Sequence, residues 1–318
     1  MAVTRRNIAT NPAARQQYVR GVLLLKNEFT GPTTTGLGIP GPSKPVCTWD
    51  LFVVWHHVAM MTRTPPSQNS RNAAHRGPVF PAWHRFMLSQ LERNFQRVLA
   101  DTTFGLPYWD WAADGQLPTA QQPQAPVWAQ DCMGGTGSPI MTGPFVFTPA
   151  NPASFRVRIV GTANNQLAQA NRGLRRALAS GVADLPTKAH TTDAIARTPY
   201  DGAPWGVTSA GFRNRAEGWL GPGAPALHNR VHVWVGGDMS PSTSPNDPVF
   251  YLNHCNVDRI WERWLVDHGR TYLPPDSAPI DLRGHRLHDQ MASFLSAPMR
   301  PADVLNMTSL VNYDSLAV

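Results

Sequence analysis

Apolar residues return at steps of three and four along several stretches of this chain, so helices dominate its pattern. Between residues 12 and 27, Tyr18, Val22 and Leu25 fall on one helical face, with Val19 and Leu23 beside it. A second helix is predicted from Trp49 to Met61. A long third one starts at Pro81, carrying Leu88, Leu91, Phe95 and Val98 up to the turn at Gly105-Leu106-Pro107. Leu167, Leu174 and Leu178 suggest a helix over 164–180. Leu227 to Val235 forms a short helix stopped by Gly236-Gly237. The last begins at Asn246 or Asp247 as N-cap, has Pro248 in its first turn, and runs through Val257, Ile260, Trp261, Trp264 and Leu265. Residues 31–47, 62–80, 112–154 and 181–224 lack a period and are rich in Gly, Pro or polar residues. The longest of these, 112–154, is expected to be a surface excursion. No repeat and no linker is visible. The expected fold is mainly α, a single domain over 1–318, built as a bundle of helices with long loops at one end.

Composition narrows the class. The chain has 318 residues, 42% of them hydrophobic, with 11 Trp and 12 Phe, enough for one large core. No apolar run approaches the roughly 18–20 residues of a membrane helix, so no membrane span is expected. Formal net charge is +7, but only Lys26, Lys44 and Lys188 are lysines and the arginines are scattered. That distribution argues for a solvated basic surface and against a nucleic-acid partner. Cys47, Cys132 and Cys255 form no CxxC pair, which excludes a disulfide scaffold and suits a reducing compartment. The N-terminus lacks the apolar stretch of a secretion signal. The expected location is cytoplasmic, or outside the cell only with a signal-bearing partner.

Eleven histidines carry the candidate chemistry. His228 and His232 stand at i and i+4 of one helix and leave by the same face. His254 lies one turn past Phe250, His84 shares a face with Leu88 and Leu91, and His56 follows the apolar run Leu51 to Trp55. Imidazoles aimed into an apolar interior are costly unless something satisfies their nitrogens. Ordinary core histidines capped by carbonyls are one solution and a metal is another. The inferred donors are nitrogen only, which suits copper, zinc, iron or nickel better than magnesium, calcium or manganese.

Around these histidines the local words become specific. FVVWHH (52–57), HRGPVFPAWHRFML (75–88), LPYWDWAADG (106–115), GFRNRAEGW (211–219), LHNRVHVWVGG (227–237), NDPVFYLNHCNVDRIWERW (246–264) and RPADVLN (300–306) resemble the bacterial tyrosinases, those of actinobacteria most of all. The likeness runs in order over nearly the whole chain. It implies a four-helix bundle holding two copper ions. His56, His75 and His84 would bind the first, and His228, His232 and His254 the second. His57 would lie beside the ligands, Phe250 would stack on a ligand imidazole, and Glu217 with Asn229 would orient a water able to deprotonate a phenol. His190, His268, His285 and His288 fall in no such word and are expected at the surface.

The resemblance implies an oxidase that uses dioxygen on phenolic small molecules, turning o-diphenols or o-aminophenols into quinones or quinone imines with some monophenol hydroxylation. The alternatives are a dedicated o-aminophenol or catechol oxidase of secondary metabolism and, from another class, a haemocyanin-like oxygen carrier. Relatives often use a small caddie-type helper that delivers copper. Several positions depart from the family pattern. Asn253 replaces a common histidine and is expected to alter how a ring substituent is received. Cys255 replaces a common alanine, and Ala73 removes the cysteine that would form a thioether with His75. Loops 31–47 and about 116–130 look longer than in relatives.

Overall fold

The structure is a computed structural model that describes residues 2–221 and 224–318. Its helices are α1 (Pro12–Lys26), α2 (Thr48–Met61), α3 (Phe80–Leu99), α4 (Trp111–Asp114), α5 (Lys188–Ile195), α6 (Phe212–Glu217), α7 (Leu227–Val235), α8 (Val249–His268) and α9 (Pro301–Val304). The strands are β1 (Val3–Arg5), β2 (Val157–Gly161), β3 (Leu167–Arg172) and β4 (Val311–Tyr313), with β1 parallel to β4 and β2 antiparallel to β3.

Local chemistry explains where the main helices begin. Asn11 accepts the Ala14 amide at 2.8 Å and Pro12 opens α1. Asp247 accepts the Val249 amide at 3.0 Å at the start of α8. Helix α1 lies close on α3 because Gly21 presents no side chain there: a Cβ would sit 2.3 Å from a Phe95 ring carbon. Tyr18 stacks on that same ring at 5.4 Å. Helices α2 and α8 are buried around most of their circumference, so neither shows a clean polar face. With α3 and α7 they form the helical core that carries the histidines.

Most lysines and arginines are exposed or partly exposed, as a solvated basic surface requires, but some arginines are not at the surface. Arg5, Arg85, Arg176, Arg213 and Arg259 are buried, each paired with a carboxylate. Arg85 of α3 reaches Asp258 and Glu262 of α8, while Arg5 ties β1 to Glu92 and Asp258. The guanidinium fork suits this work, since it satisfies several acceptors at once.

Three expectations are corrected. Residues 164–180 are not a helix: β2 and β3 form a hairpin that reverses through Asn164-Asn165, with Asn165 left-handed at φ 57°. Asn tolerates that conformation, and the leucines do separate jobs. Leu167 joins a small cluster with Ile39, Val46, Val54 and Ile159, whereas Leu174 belongs to the main core. Residues 112–154 are not simply a surface excursion, because Val127, Trp128, Cys132, Met133, Ile140 and Phe145 are buried in that core. Arg176 pins this segment by donating to the Met133 and Gly134 carbonyls while pairing with Asp247. The stretch 181–224 contains α5 and α6, and its positions 222 and 223 lie outside the described residues.

Candidate metal centre

Six imidazoles meet in the middle of this core as two groups of three. His56 from α2, His75 from the loop before α3 and His84 from α3 bring ring nitrogens within 4.8 Å of one another. His228 and His232 from α7 and His254 from α8 do the same. The groups face each other, with His84 stacked on His254 at 4.1 Å and 13°.

Backbone carbonyls set the rings. The Nδ1–H of His56 donates to the Ser242 carbonyl at 2.7 Å, that of His84 to Phe80 at 2.8 Å, and that of His232 to Met239 at 2.7 Å. Each bond leaves Nε2 as a bare lone pair turned inward. His228 Nδ1 approaches the Asn229 Oδ1 at 3.0 Å and the Glu217 carbonyl at 3.3 Å. Asn72 accepts the His75 backbone amide at 2.7 Å and so fixes its loop. Phe250 packs at 4.2 Å from His254 and 4.9 Å from His56, and Phe80 lies 4.9 Å from both His84 and His228.

Burial drives every one of the six pKa values down. His56 falls to about 3 and His232 to about 4, and the other four lie well below the ordinary histidine value, with neighbouring imidazoles adding to the effect. The rings are therefore neutral at pH 7, the state a metal requires. Five of them hold a buried nitrogen with no hydrogen-bond partner among the described residues: His56, His84 and His232 at Nε2, His75 and His254 at Nδ1. At about 1–3 kcal/mol for each unsatisfied group, the total rivals the stability of a whole domain. Metal coordination offsets that cost at the Nε2 atoms of His56, His84 and His232, whose rings are already oriented by carbonyls, while His254 turns Nε2 to the centre, 3.2 Å from His228 Nε2. A nitrogen-only pair of triads fits two copper ions.

A cleft of about 510 Å³ opens onto this centre, walled by Met60, Arg76, Trp219, Asn229 and Val233 beside the histidines. Arg76 is its cation and lies 5.3 Å from the Trp219 ring. Glu217 does not line the cleft. Its carboxylate is buried behind it, accepting the Arg76 amide at 2.6 Å and Arg213 Nη1 at 2.9 Å. Burial raises its pKa, and the Arg213 charge opposes that rise. Gly218, left-handed at φ 98°, turns the chain directly after it, where a Cβ would lie 1.9 Å from the Ala226 carbonyl. That turn brings Asn229 against the end of α6.

The remaining predicted residues fall as follows. His57 belongs to neither triad, and its Nδ1 pairs with the Ser242 hydroxyl at 2.7 Å. Asn253 is fully buried, is absent from the cleft wall, and has neither amide atom partnered among the described residues, so any effect it has on substrate passes through the packing of α8. His285 is not at the surface: it is fully buried, with Nε2 on the Thr64 carbonyl at 3.0 Å, because the 280–289 loop closes over it. His268 and His288 are exposed and His190 is half-buried. Sequence reasoning missed Phe80, Ser242 and Met239. Only Phe80, four residues before His84, left a readable signal, since backbone carbonyls carry none.

Three comparisons bear on this centre. The family model described as the common central domain of tyrosinase matches residues 47–267. A tyrosinase of Streptomyces antibioticus is 41% identical over 237 residues, covering 73% of this chain and 78% of that protein. A grixazone synthase of Streptomyces griseus is 33% identical over 293 residues, covering 84% of this chain and 90% of that protein. Among solved structures, a polyphenol oxidase variant from Thermothelomyces thermophila superposes with a TM-score of 0.66 at 21% identity, over 99% of this chain and 89% of that one, a likeness of fold.

Proposed function

The chain belongs to the tyrosinase family of binuclear copper oxidases, and on that premise we propose that His56, His75 and His84 hold one copper ion and His228, His232 and His254 the other. The protein is a copper-dependent polyphenol oxidase that uses dioxygen on phenolic substrates. The observation that carries the assignment is the pair of facing triads, in which His56, His84 and His232 are carbonyl-oriented with Nε2 unpartnered among the described residues. When bound, the copper pair supplies dioxygen activation and accepts electrons from the substrate.

The protein's own groups do the rest. Phe250 and Phe80 wedge the imidazoles in place and keep the centre apolar. Met60 and Val233 give the cleft apolar walls for an aromatic ring, with Arg76 at hand for an anionic ring substituent. A phenol with a pKa near 10 must lose its proton to bind as phenolate. We assign the removal of that proton to Glu217, acting from behind the cleft through a water held with Asn229, a reading supported by the Asn229 side chain lying against the end of α6. The reading is thus oxidation of o-diphenols and o-aminophenols with monophenol hydroxylation as a further activity. Initial rates on a monophenol, its o-diphenol and an o-aminophenol test it. Oxidation of the last two alone would make this a dedicated o-aminophenol or catechol oxidase.

We also propose that residues 1–318 form one domain, supported by a single core cluster reaching from Ile8 to Met307. Copper delivery is assigned to a small helper protein docking at the cleft mouth, where Trp219 is exposed. No described helix is long and apolar enough to cross a membrane. On this reading a helper that carries an export signal takes the enzyme out of the cell with it. Slow copper uptake by the isolated chain would support such a helper, and fast complete uptake would oppose it.

A further inference from the structure

A second cleft, of about 320 Å³, opens between loop 31–47, the start of α2 and the β2–β3 hairpin. No histidine lines it. Three cations do: Lys44, Arg156 and Arg158. Elsewhere buried arginines are matched by carboxylates, but none of these three has an ion pair among the described residues. Arg156 lies 5.0 Å from the Phe147 ring, and its buried Nε has no hydrogen-bond partner among the described residues. Arg158 lies 5.0 Å from the Phe29 ring and donates to the Lys26 carbonyl at 3.0 Å.

The cleft contains no anion to balance them. Its one carboxylate, Asp50, is taken by Lys26 Nζ at 2.5 Å and by the Cys47 thiol at 3.1 Å. Burial and then Asp50 push the Cys47 thiol up to about 12, so it supplies no negative charge. Three like charges around one small volume repel each other, and low-dielectric walls focus their field into it. Those walls are apolar: Phe29, Pro45, Val46 and Ile159. The volume sits at the small end of the roughly 300–1,000 Å³ of ligand pockets.

We propose that this cleft binds a small organic anion, a carboxylate or phosphate on an apolar body. Arg156, Arg158 and Lys44 take the charge, and Phe29, Val46 and Ile159 take the body. The occupant would join the loop to the hairpin, which is itself tied to the metal centre. The Ile159 carbonyl accepts from Asn246 at 2.8 Å, and the Gly161 amide donates to Thr243 at 3.2 Å, next to the Ser242 that orients His56.

Calorimetric titration of the copper-loaded protein at low salt tests the site with phenyl phosphate, cyclohexanecarboxylate and inorganic phosphate. One organic anion should bind per chain at least tenfold more tightly than inorganic phosphate, the tighter of the two identifying the head group, and added salt should weaken it. The double variant Arg156→Gln, Arg158→Gln should lose at least tenfold in affinity while o-diphenol oxidation stays unchanged. Lys44→Gln, on the exposed loop, should weaken binding with no effect on folding. Arg76→Gln, in the copper cleft, should leave binding intact. Absence of saturable binding into the millimolar range, full affinity in the double variant, or loss of binding in Arg76→Gln would each overturn the proposal. Equal affinity for inorganic phosphate would overturn the organic-anion reading.

Discussion

Replacing Arg213 by lysine should move the acid side of monophenol oxidation to higher pH without touching a histidine of the metal centre. The Arg213 guanidinium is fully buried and donates to Asp201 at 2.7 Å, to Glu217 at 2.9 Å, to the Asn214 side chain and to the Gly206 carbonyl. A lysine ammonium is a point donor that cannot span both carboxylates. Losing the bond to Glu217 removes a charge-assisted hydrogen bond worth about 1.5–3 kcal/mol. The sign follows from which form the bond favours. Arg213 stabilises the Glu217 carboxylate against the burial that raises its pKa, so weakening the contact raises that pKa further. At a given acid pH the carboxylate fraction then falls by roughly 10–100-fold, the same free energy written as an equilibrium. The assay is kcat/KM against pH for a monophenol and its o-diphenol, with chemical denaturation alongside. The monophenol limb should shift upward and recover its plateau in alkali, the o-diphenol limb should stay, and stability should drop by a similar 1.5–3 kcal/mol. Profiles that shift together, or a destabilised protein with an unmoved monophenol limb, would refute a proton-accepting role for Glu217.

The other expectations are simpler to read. Metal analysis should give two copper ions per chain, and His254→Ala should lose copper and oxidation while its helical circular dichroism persists. One copper per fully active chain would contradict the paired triads. Glu217→Gln can still accept the Arg76 amide, so monophenol oxidation should fall by about 10²–10⁴-fold and o-diphenol oxidation much less; equal losses would make the residue structural. His285, lowered by burial to about 3, binds its proton far better in the unfolded chain. Its contribution is therefore complete above the unfolded value of 6.5 and drains as pH falls toward 3, a loss on the order of a few kcal/mol. His285→Gln should flatten the denaturation midpoint against pH over that window, and an unchanged slope would mean the ring is not buried neutral.

What could be read beforehand depended on whether the cause was local. Helices α1, α2, α3, α7 and α8 announce themselves by apolar period, an Asn or Asp cap, a proline at the start or a glycine at the stop. Asn164-Asn165 also marks a reversal locally, but the spacing of Leu167, Leu174 and Leu178 imitated a helix and won the reading. The burial of 126–145 has no local sign at all, because it hangs on Arg176, some forty residues later, reaching the Met133 and Gly134 carbonyls. His285 is the same case: nothing in its neighbours says that a loop will close it against Thr64.

The deepest part of the site is invisible in sequence for a related reason, and it is also what links the two triads. The Met239 carbonyl orients His232 of one triad, and the Ser242 carbonyl, three residues on, orients His56 of the other. Both belong to the short connection between α7 and α8, so a displacement there would turn one imidazole from each group together. Nothing in that connection is a metal donor. Its rigidity comes from outside: Asp238 accepts from Arg172 at 2.6 and 2.8 Å and from the Arg175 amide at 2.8 Å, Thr243 accepts from Gly161, and Asp247 holds Arg176. The hairpin mistaken for a helix, and the arginines that follow it, therefore act as the mount for the peptide that sets both halves of the metal centre. The requirement falls on two backbone carbonyls, so a reading of side chains locates the six imidazoles but not what aims them.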